Sequence, residues 1–448
     1  MSFFQKIKEW FKGMFTKKDI QQALKIDIKI NDVMFEAISE WSKVYNGDGE
    51  QIINVASAIC YEVSTTCLNE MEIKIDGDKN VLKTFNSFKA KLQNTLELGL
   101  AKGGIAIKPY FKDNVVKLEY IQADYFIPVK VDDEGIITES VFIDTKQKGD
   151  KYYTRLEHHI YIDNTDYTIA NYAFKSSDKS QLGNSISLAS VDEWANIKPI
   201  VNIAGLDMPL YSYFKTPFAN TIDNNSDIGV SIFARAINNI KEANKQYGRL
   251  LWEFEGGELA VHASDELFNE NKSLPALNKR LFRQFDVASE TFAINTFSPE
   301  LRDVNLINGL NQILRFIELE CGLSYGILSD SQIKELTATE VRSSKQRYYS
   351  TVSAIQDQLE KSINELLYII KSLYMLYGVP VSKETEISLT FRDSILSDEQ
   401  TDRNNDRTEV SQGLMTKVEY RMKWFGEDEE TAREKLKEIN NQWDNALL

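Results

Sequence analysis

Thr337-Ala338-Thr339-Glu340-Val341 opens a run without proline or glycine that ends at Gly378, and this stretch decides the fold. A hydroxyl residue followed three positions later by a glutamate is a capping box, in which each side chain satisfies a backbone N–H of the other's position. Apolar residues then recur at Val341, Tyr348, Val352, Ile355, Leu359, Ile363, Leu366, Ile370 and Leu373. The steps are threes and fours or their sums, so one stripe runs down one helix. Gly378 supplies a left-handed C-terminal position and Pro380 forbids continuation. At 1.5 Å per residue the predicted rod is roughly 60 Å long, and the other elements are placed against it.

Working back from the rod, Leu306, Leu310, Ile313, Leu314 and Ile317 mark a helix from Asp303 to Cys321, capped by Gly322. Phe233, Ile237, Ile240, Tyr247, Leu251 and Phe254 mark another from Ile228 to Phe254, closed by Gly256-Gly257. Between them, residues 258–298 carry short strand-like runs at Leu259-Ala260-Val261 and Phe292-Ala293-Ile294, with a basic cluster at Lys279, Arg280 and Arg283. The pattern predicts an antiparallel helical stalk with a small knob at its end. The basic cluster reads first as a solvated strand face, and secondly as a contact for an acidic partner. From Ser324 to Leu336 an irregular loop joins the returning helix to the rod; loops beyond about 12 residues inside a compact unit are often functional.

Towards the N-terminus, Met1 to Phe15 is amphipathic, with Phe3, Phe4, Ile7, Trp10, Phe11, Met14 and Phe15 on one face. It reads as an arm docking on its own fold or on a neighbouring subunit, with a membrane-surface helix as the alternative. Residues 28–70 read as helical, Met71 to Ile75 as a strand, and Val81 to Leu96 as a helix stopped at Gly103-Gly104. From Ile105 to Phe174 the period becomes two, predicting an antiparallel unit of hairpins. Gln181 to Asn225 reads as loop, and Glu386 to Phe391 as a strand that could return to this β unit. The tail from Asp398 reads as charged helices, with a stop at Gly413 and a second capping box at Thr416-Lys417-Val418-Glu419. The fold class is α+β.

The composition narrows the function. In 448 residues the net charge is −15 and the pI near 5.0, which argues against tight nucleic-acid binding over the whole surface. Cys60, Cys67 and Cys321 lack metal-type spacing and read as reduced, buried thiols. No transmembrane run and no secretory leader is expected. There is no phosphate loop, dinucleotide fingerprint, H-E-x-x-H, C-x-x-C or G-x-S-x-G. His158 and His159 are adjacent on a predicted strand, so they point to opposite faces and do not share one metal. The expectation is a protein without catalytic residues, metal or cofactor; a hydrolase using an acid pair assembled by the fold is the alternative.

Gly322-Leu323-Ser324 followed by Thr337-Ala338-Thr339-Glu340-Val341 and the long helix resembles the portal proteins of tailed bacteriophages, in the branch of Gram-positive siphophages. Further similarity lies in Pro217-Phe218-Ala219-Asn220 with Gly229-Val230-Ser231-Ile232-Phe233, in Tyr153-Thr154-Arg155-Leu156-Glu157-His158, and in Phe391-Arg392-Asp393-Ser394-Ile395 with Gly413-Leu414-Met415-Thr416. The resemblance covers nearly the whole chain. It implies a dodecameric ring at one capsid vertex, a conduit for double-stranded DNA in packaging and ejection. It also implies docking of a terminase motor and a head-tail adaptor, contact with major capsid and scaffold proteins, and assembly in the host cytoplasm before incorporation into the virion. The implied parts are an arm at 1–27, wing at 28–225, stem helices at 226–257 and 299–322, and clip at 258–298. A tunnel loop at 323–337, spine and wing strand at 338–393, and crown at 394–448 complete them. Ser329, Lys334 and Glu335 become candidates for the DNA-facing loop, and Lys279, Arg280 and Arg283 for motor or adaptor contact. A peripheral membrane or scaffold protein anchored by the N-terminal arm is the competing reading.

Overall fold

The computed structural model describes residues 17–49, 52–69, 71–162, 166–224, 226–257, 260–264, 282–285, 294–297, 300–330, 338–382, 385–391 and 399–446. The chain divides into two compact units, Met1–Leu389 and Thr390–Leu448. The first begins with α1 (Lys17–Leu24), α2 (Asp32–Asn46), α3 (Val55–Leu68), β1 (Met71–Asp76) and α4 (Lys79–Lys102). The segment expected as continuous helix from 28 to 70 is thus two helices. Gly47 turns left-handed at φ 74°, and the Asn54 side chain caps the new start by accepting from Ser57 N.

Next come β2 (Gly104–Lys112), β3 (Val115–Gln122), β4 (Phe126–Val131), β5 (Ile137–Lys148), β6 (Lys151–Ile162), β7 (Asp166–Ser176), β8 (Asn184–Ile186), β9 (Ile200–Ile203) and β10 (Ser212–Lys215). The strand-rich region is two antiparallel sheets: β10-β2-β3, and β4-β5-β6-β7-β8 with β9 also on β7. Ala106, Ile121, Phe126, Phe142 and Tyr211 form the apolar seam between them. The expected loop from 181 to 225 therefore contains three short strands, too brief to show a period. Trp194 is buried on Ala173, Leu188 and Val191, and its indole N–H donates to Asp144 (3.0 Å).

The helix expected from Ile228 begins instead at Ile237, as α5 (Ile237–Gly256). Residues 228–234 are all buried, and their backbone groups are engaged outside any helix. Ile232 N donates to Leu100 O (3.0 Å), and the Thr216 hydroxyl donates to Val230 O (2.7 Å). Here two backbones cross at Gly103 and Gly229. A Cβ on Gly229 would lie 1.9 Å from Gly103 O, and one on Gly103, which has φ 88°, would lie 2.3 Å from Gly229 O. Because the obstacle is backbone, Gly229→Ala is expected to cost about 3 kcal/mol, the upper range for overpacking. Gly256→Ala, with its nearest neighbour at 3.7 Å, is expected to be near neutral. Urea midpoints of the two variants check this.

After β11 (Ala260–Ser264), β12 (Phe282–Phe285) and β13 (Ile294–Phe297) come α6 (Asp303–Glu320), α7 (Ala338–Leu376) and β14 (Glu386–Phe391). The three knob strands form one sheet in the order β12-β11-β13. The predicted stripe on α7 is the core: Tyr348, Val352, Ile355, Leu359, Ile363, Leu366, Ile370 and Leu373 are buried. They face the β10-β2-β3 sheet, α3 and α4. Polar bonds fix the register. Gln356 donates to Cys67 O (3.2 Å), Ser212 Oγ to Ser362 O (2.9 Å), and the Tyr374 hydroxyl accepts from Val116 N (3.1 Å). At the end, Val379 N bonds Tyr374 O and Gly378 N bonds Met375 O, with Gly378 at φ 72°. Thr337 lies outside the described residues, as does the side chain of Val341. β14 pairs with β1 and not with the larger sheets, correcting that expectation. All three cysteines are free and buried.

The second unit contains α8 (Glu399–Gln412), α9 (Lys417–Phe425) and α10 (Glu429–Ala446). The Thr416–Glu419 capping box is formed in both directions. Polar contacts dominate its packing: Arg403 and Arg407 both donate to the Tyr420 hydroxyl, and Glu427 receives Arg421 and Lys435.

Candidate nucleic-acid interface

The α5–α6 pair carries the knob sheet and leads into the candidate loop. The helices are antiparallel: Asn239 bonds Glu320 (2.9 Å), Gln246 bonds Leu306 O (3.4 Å), and Glu253 meets Arg302. Glu253 accepts from Arg302 N (3.0 Å), Nε (3.0 Å) and Nη2 (2.6 Å), a two-pronged guanidinium grip that closes the neck below the knob. Those bonds hold the Glu253 carboxyl down at about 2. The pair leaves large apolar side chains in solvent: Trp252 is 66% exposed, Val304 63% and Phe316 57%, and Phe254, Ile307 and Leu319 are exposed as well.

Gly322 ends α6 with φ 71°, letting Leu323 N reach back to Glu318 O (2.8 Å) and Gly322 N to Leu319 O (3.3 Å). Leu323 is then driven fully into the core. Ser324 and Tyr325 fasten to α7. Tyr325 N donates to Ser344 Oγ (2.7 Å), Arg347 donates to Leu323 O (3.2 Å), and its guanidinium lies over the Tyr325 ring. Residues 326–329 fasten to α6. Glu318 Oε1 accepts from Gly326 N (3.1 Å), Leu328 N (2.7 Å) and Ser329 N (2.9 Å), and Oε2 accepts from Ser329 Oγ (2.9 Å). Asp330 N is held by Asn311 (3.2 Å).

This corrects one expectation. Ser329 is 7% exposed and turned onto Glu318, so it belongs to the root of the loop and not to its outward surface. Lys334 and Glu335 lie outside the described residues, as do Lys279 and Arg280. Arg283 sits on β12 in register with His262 of β11. Glu318 went unnoticed in the sequence, although it left a trace. An acid in the last turn of a helix opposes the negative helix terminus, and this one stands between two apolar residues in Ile317-Glu318-Leu319.

The histidine pair engages two carboxylates on opposite faces. His158 Nε2 meets Glu139 (2.9 Å), and His159 Nε2 meets Glu157 (2.8 Å) while its Nδ1 meets the Tyr167 hydroxyl. Glu157 also receives Lys108 Nζ (2.8 Å) and Arg155 Nη1 (2.8 Å), tying the two sheets together. Burial alone would raise the Glu157 carboxyl, but Lys108, His159 and Arg155 hold it well below the usual range. Burial lowers the His159 imidazole, with Glu157 opposing, so the ring stays neutral and its Nε2–H donates to the carboxylate. A neutral buried histidine takes up its proton on unfolding, so stability is expected to fall as pH drops below about 6.5, by up to about 1.4 kcal/mol per unit. Thermal melts from pH 7.5 to 5.5 test this; His159→Gln should flatten the dependence.

Among the described residues no helix is long and apolar enough to cross a membrane, and the N-terminal arm to Phe15 lies outside them. Comparison with known proteins adds three findings. No curated protein matches the chain at a significant level. The chain is similar to one in a solved structure titled "Neck of native GTA particle computed with C12 symmetry", at 10% identity and a TM-score of 0.43, over 81% of this chain and 87% of that one. The phage portal protein family described as SPP1 Gp6-like matches residues 6–445. That match spans the two sheets, the helix pair with its knob, the anchored loop and the spine. The chain therefore belongs to the SPP1 Gp6-like phage portal proteins, a family of structural, non-enzymatic proteins.

Proposed function

We propose that copies of this chain close into a ring at one capsid vertex, through which double-stranded DNA is packaged and ejected. The observation that carries this reading is the set of large apolar side chains left exposed on the α5–α6 pair, with Trp252, Val304 and Phe316 each more than half exposed. Large apolar side chains concentrated in solvent on one helix pair fit a protein interface, and a head-to-tail contact that closes by rotation gives a ring. The net charge of −15 suits a conduit. Each phosphate neutralised by protein releases counterions and adds affinity, so an acidic wall lets the duplex slide.

In this reading the stem is 226–257 and 299–322, the clip 258–298, the wing 28–225 with the spine, and the crown 394–448. The clip docks the terminase motor and head-tail adaptor, with Lys279, Arg280 and Arg283 as candidate contacts, and twelve subunits are expected. Negative-stain microscopy and native mass measurement test the ring. Trp252→Glu combined with Phe316→Glu should leave monomers, and rings unaffected by both charges would refute the role of these side chains. Deletion of residues 331–336 should leave rings intact and impair packaging with the cognate motor; normal packaging would remove the loop from the DNA path.

A further inference from the structure

We infer that Glu318 is the positioning residue of the 324–330 loop, fixing where the chain beyond Asp330 departs toward the DNA path. The inference rests on the reading of this loop as DNA-facing. The Glu318 side chain is completely buried, and among the described residues no ion pair holds it. An ionised carboxylate in such a place is costly unless hydrogen bonds replace its water. All four of its side-chain bonds come from the loop: the amides of Gly326, Leu328 and Ser329 on Oε1 and the Ser329 hydroxyl on Oε2. Backbone N–H groups converging on an anion form a nest, and here the anion is built into the preceding helix.

The geometry divides the labour. Ser324 and Tyr325 are tied to α7 through Ser344, while residues 326–329 are tied to α6 through Glu318. Leu323 N also bonds the Glu318 carbonyl, so the helix cap and the loop root converge on one residue. A simple helix-to-helix connector needs no such fixture, because the Gly322 cap and the Leu323 anchor already end α6. What the carboxylate adds is a defined path for 326–329, and hence a defined exit at Asp330.

The test uses assembled full-length rings carrying Glu318→Ala or Glu318→Gln. Hydrogen exchange reads the amides of Gly326, Leu328 and Ser329, with those of Ile363 and Leu366 as an internal reference. Charge-assisted bonds of this kind correspond to about 10- to 100-fold in an equilibrium. Exchange at the three loop amides should rise by about 100-fold in Glu318→Ala and about 10-fold in Glu318→Gln, with the spine amides unchanged. Packaging with the cognate motor should fall in the same order while ring size stays constant. Glu318→Gln keeps the side-chain volume, so it reports even where the alanine variant fails to fold. Unchanged loop exchange in Glu318→Gln would overturn the anchoring, and faster exchange with undiminished packaging would overturn the positioning role. Wild-type rings that package no DNA would instead sink the conduit reading on which the inference stands.

Discussion

Ile363→Asp is expected to lower the stability of the folded chain by about 4–5 kcal/mol, enough to remove most of it from the soluble fraction. Ile363 is fully buried on α7, between Leu359 and Leu366, which are buried with it. The substitution removes apolar contacts worth about 2–5 kcal/mol when an isoleucine is cut back. It also forces a carboxyl into a fully buried position on the apolar stripe, where an ionised group is costly. Asn364, the next residue, is exposed. Asn364→Asp introduces the same group and should change stability by less than about 0.5 kcal/mol. Urea titration of both variants decides the matter, and equal midpoints would show that the stripe is not the core.

Lys108→Met is expected to cost about 3 kcal/mol, at the lower end of the range for breaking a buried ion pair. The ammonium is 2.8 Å from Glu157 Oε2 and 3.3 Å from Glu119 Oε2, and it lies over the Phe142 ring. Without it Glu157 retains Arg155 and His159, which is why the loss falls short of the full range. The Glu157 carboxyl, held well below its ordinary value, contributes stability above about pH 4.5 that is lost as the pH falls further. In Lys108→Met that acid-side loss should shrink, because Lys108 is the largest of the influences lowering the group. Adding Glu157→Gln should recover part of the stability, since the stranded charge is then gone. A double variant as unstable as the sum of the single ones would mean that the two groups do not interact.

Periodicity made the spine legible, because a buried stripe over ten turns without glycine or proline has one solution. The same rule of two placed His158 and His159 on opposite faces before any contact was known. The start of α5 was misplaced for a physical reason. Phe233 continues the apolar spacing, yet Gly229 must meet Gly103 across a backbone crossing, and no local pattern encodes a partner 126 residues away. β8, β9 and β10 run three or four residues each, below the length at which alternation is visible. Ser329 was expected to face outward because the resemblance places it in the DNA-facing loop. Its buried partner, Glu318, is charged, and a charged residue in the core is the case that composition rules handle worst.

The contact between Gln356 of the spine and Cys67 of α3 joins residues 289 apart in sequence. On the ribosome that separation is a delay. At ordinary rates of synthesis the Cys67 end of α3 waits roughly 15–60 s before the segment of the spine that covers it has been made. During that interval α4 and α2 already pack on α3, but the completely buried Cys67 lacks the cover that α7 later gives it. The nascent chain therefore carries one apolar edge of an otherwise packed helix pair uncovered until the spine emerges.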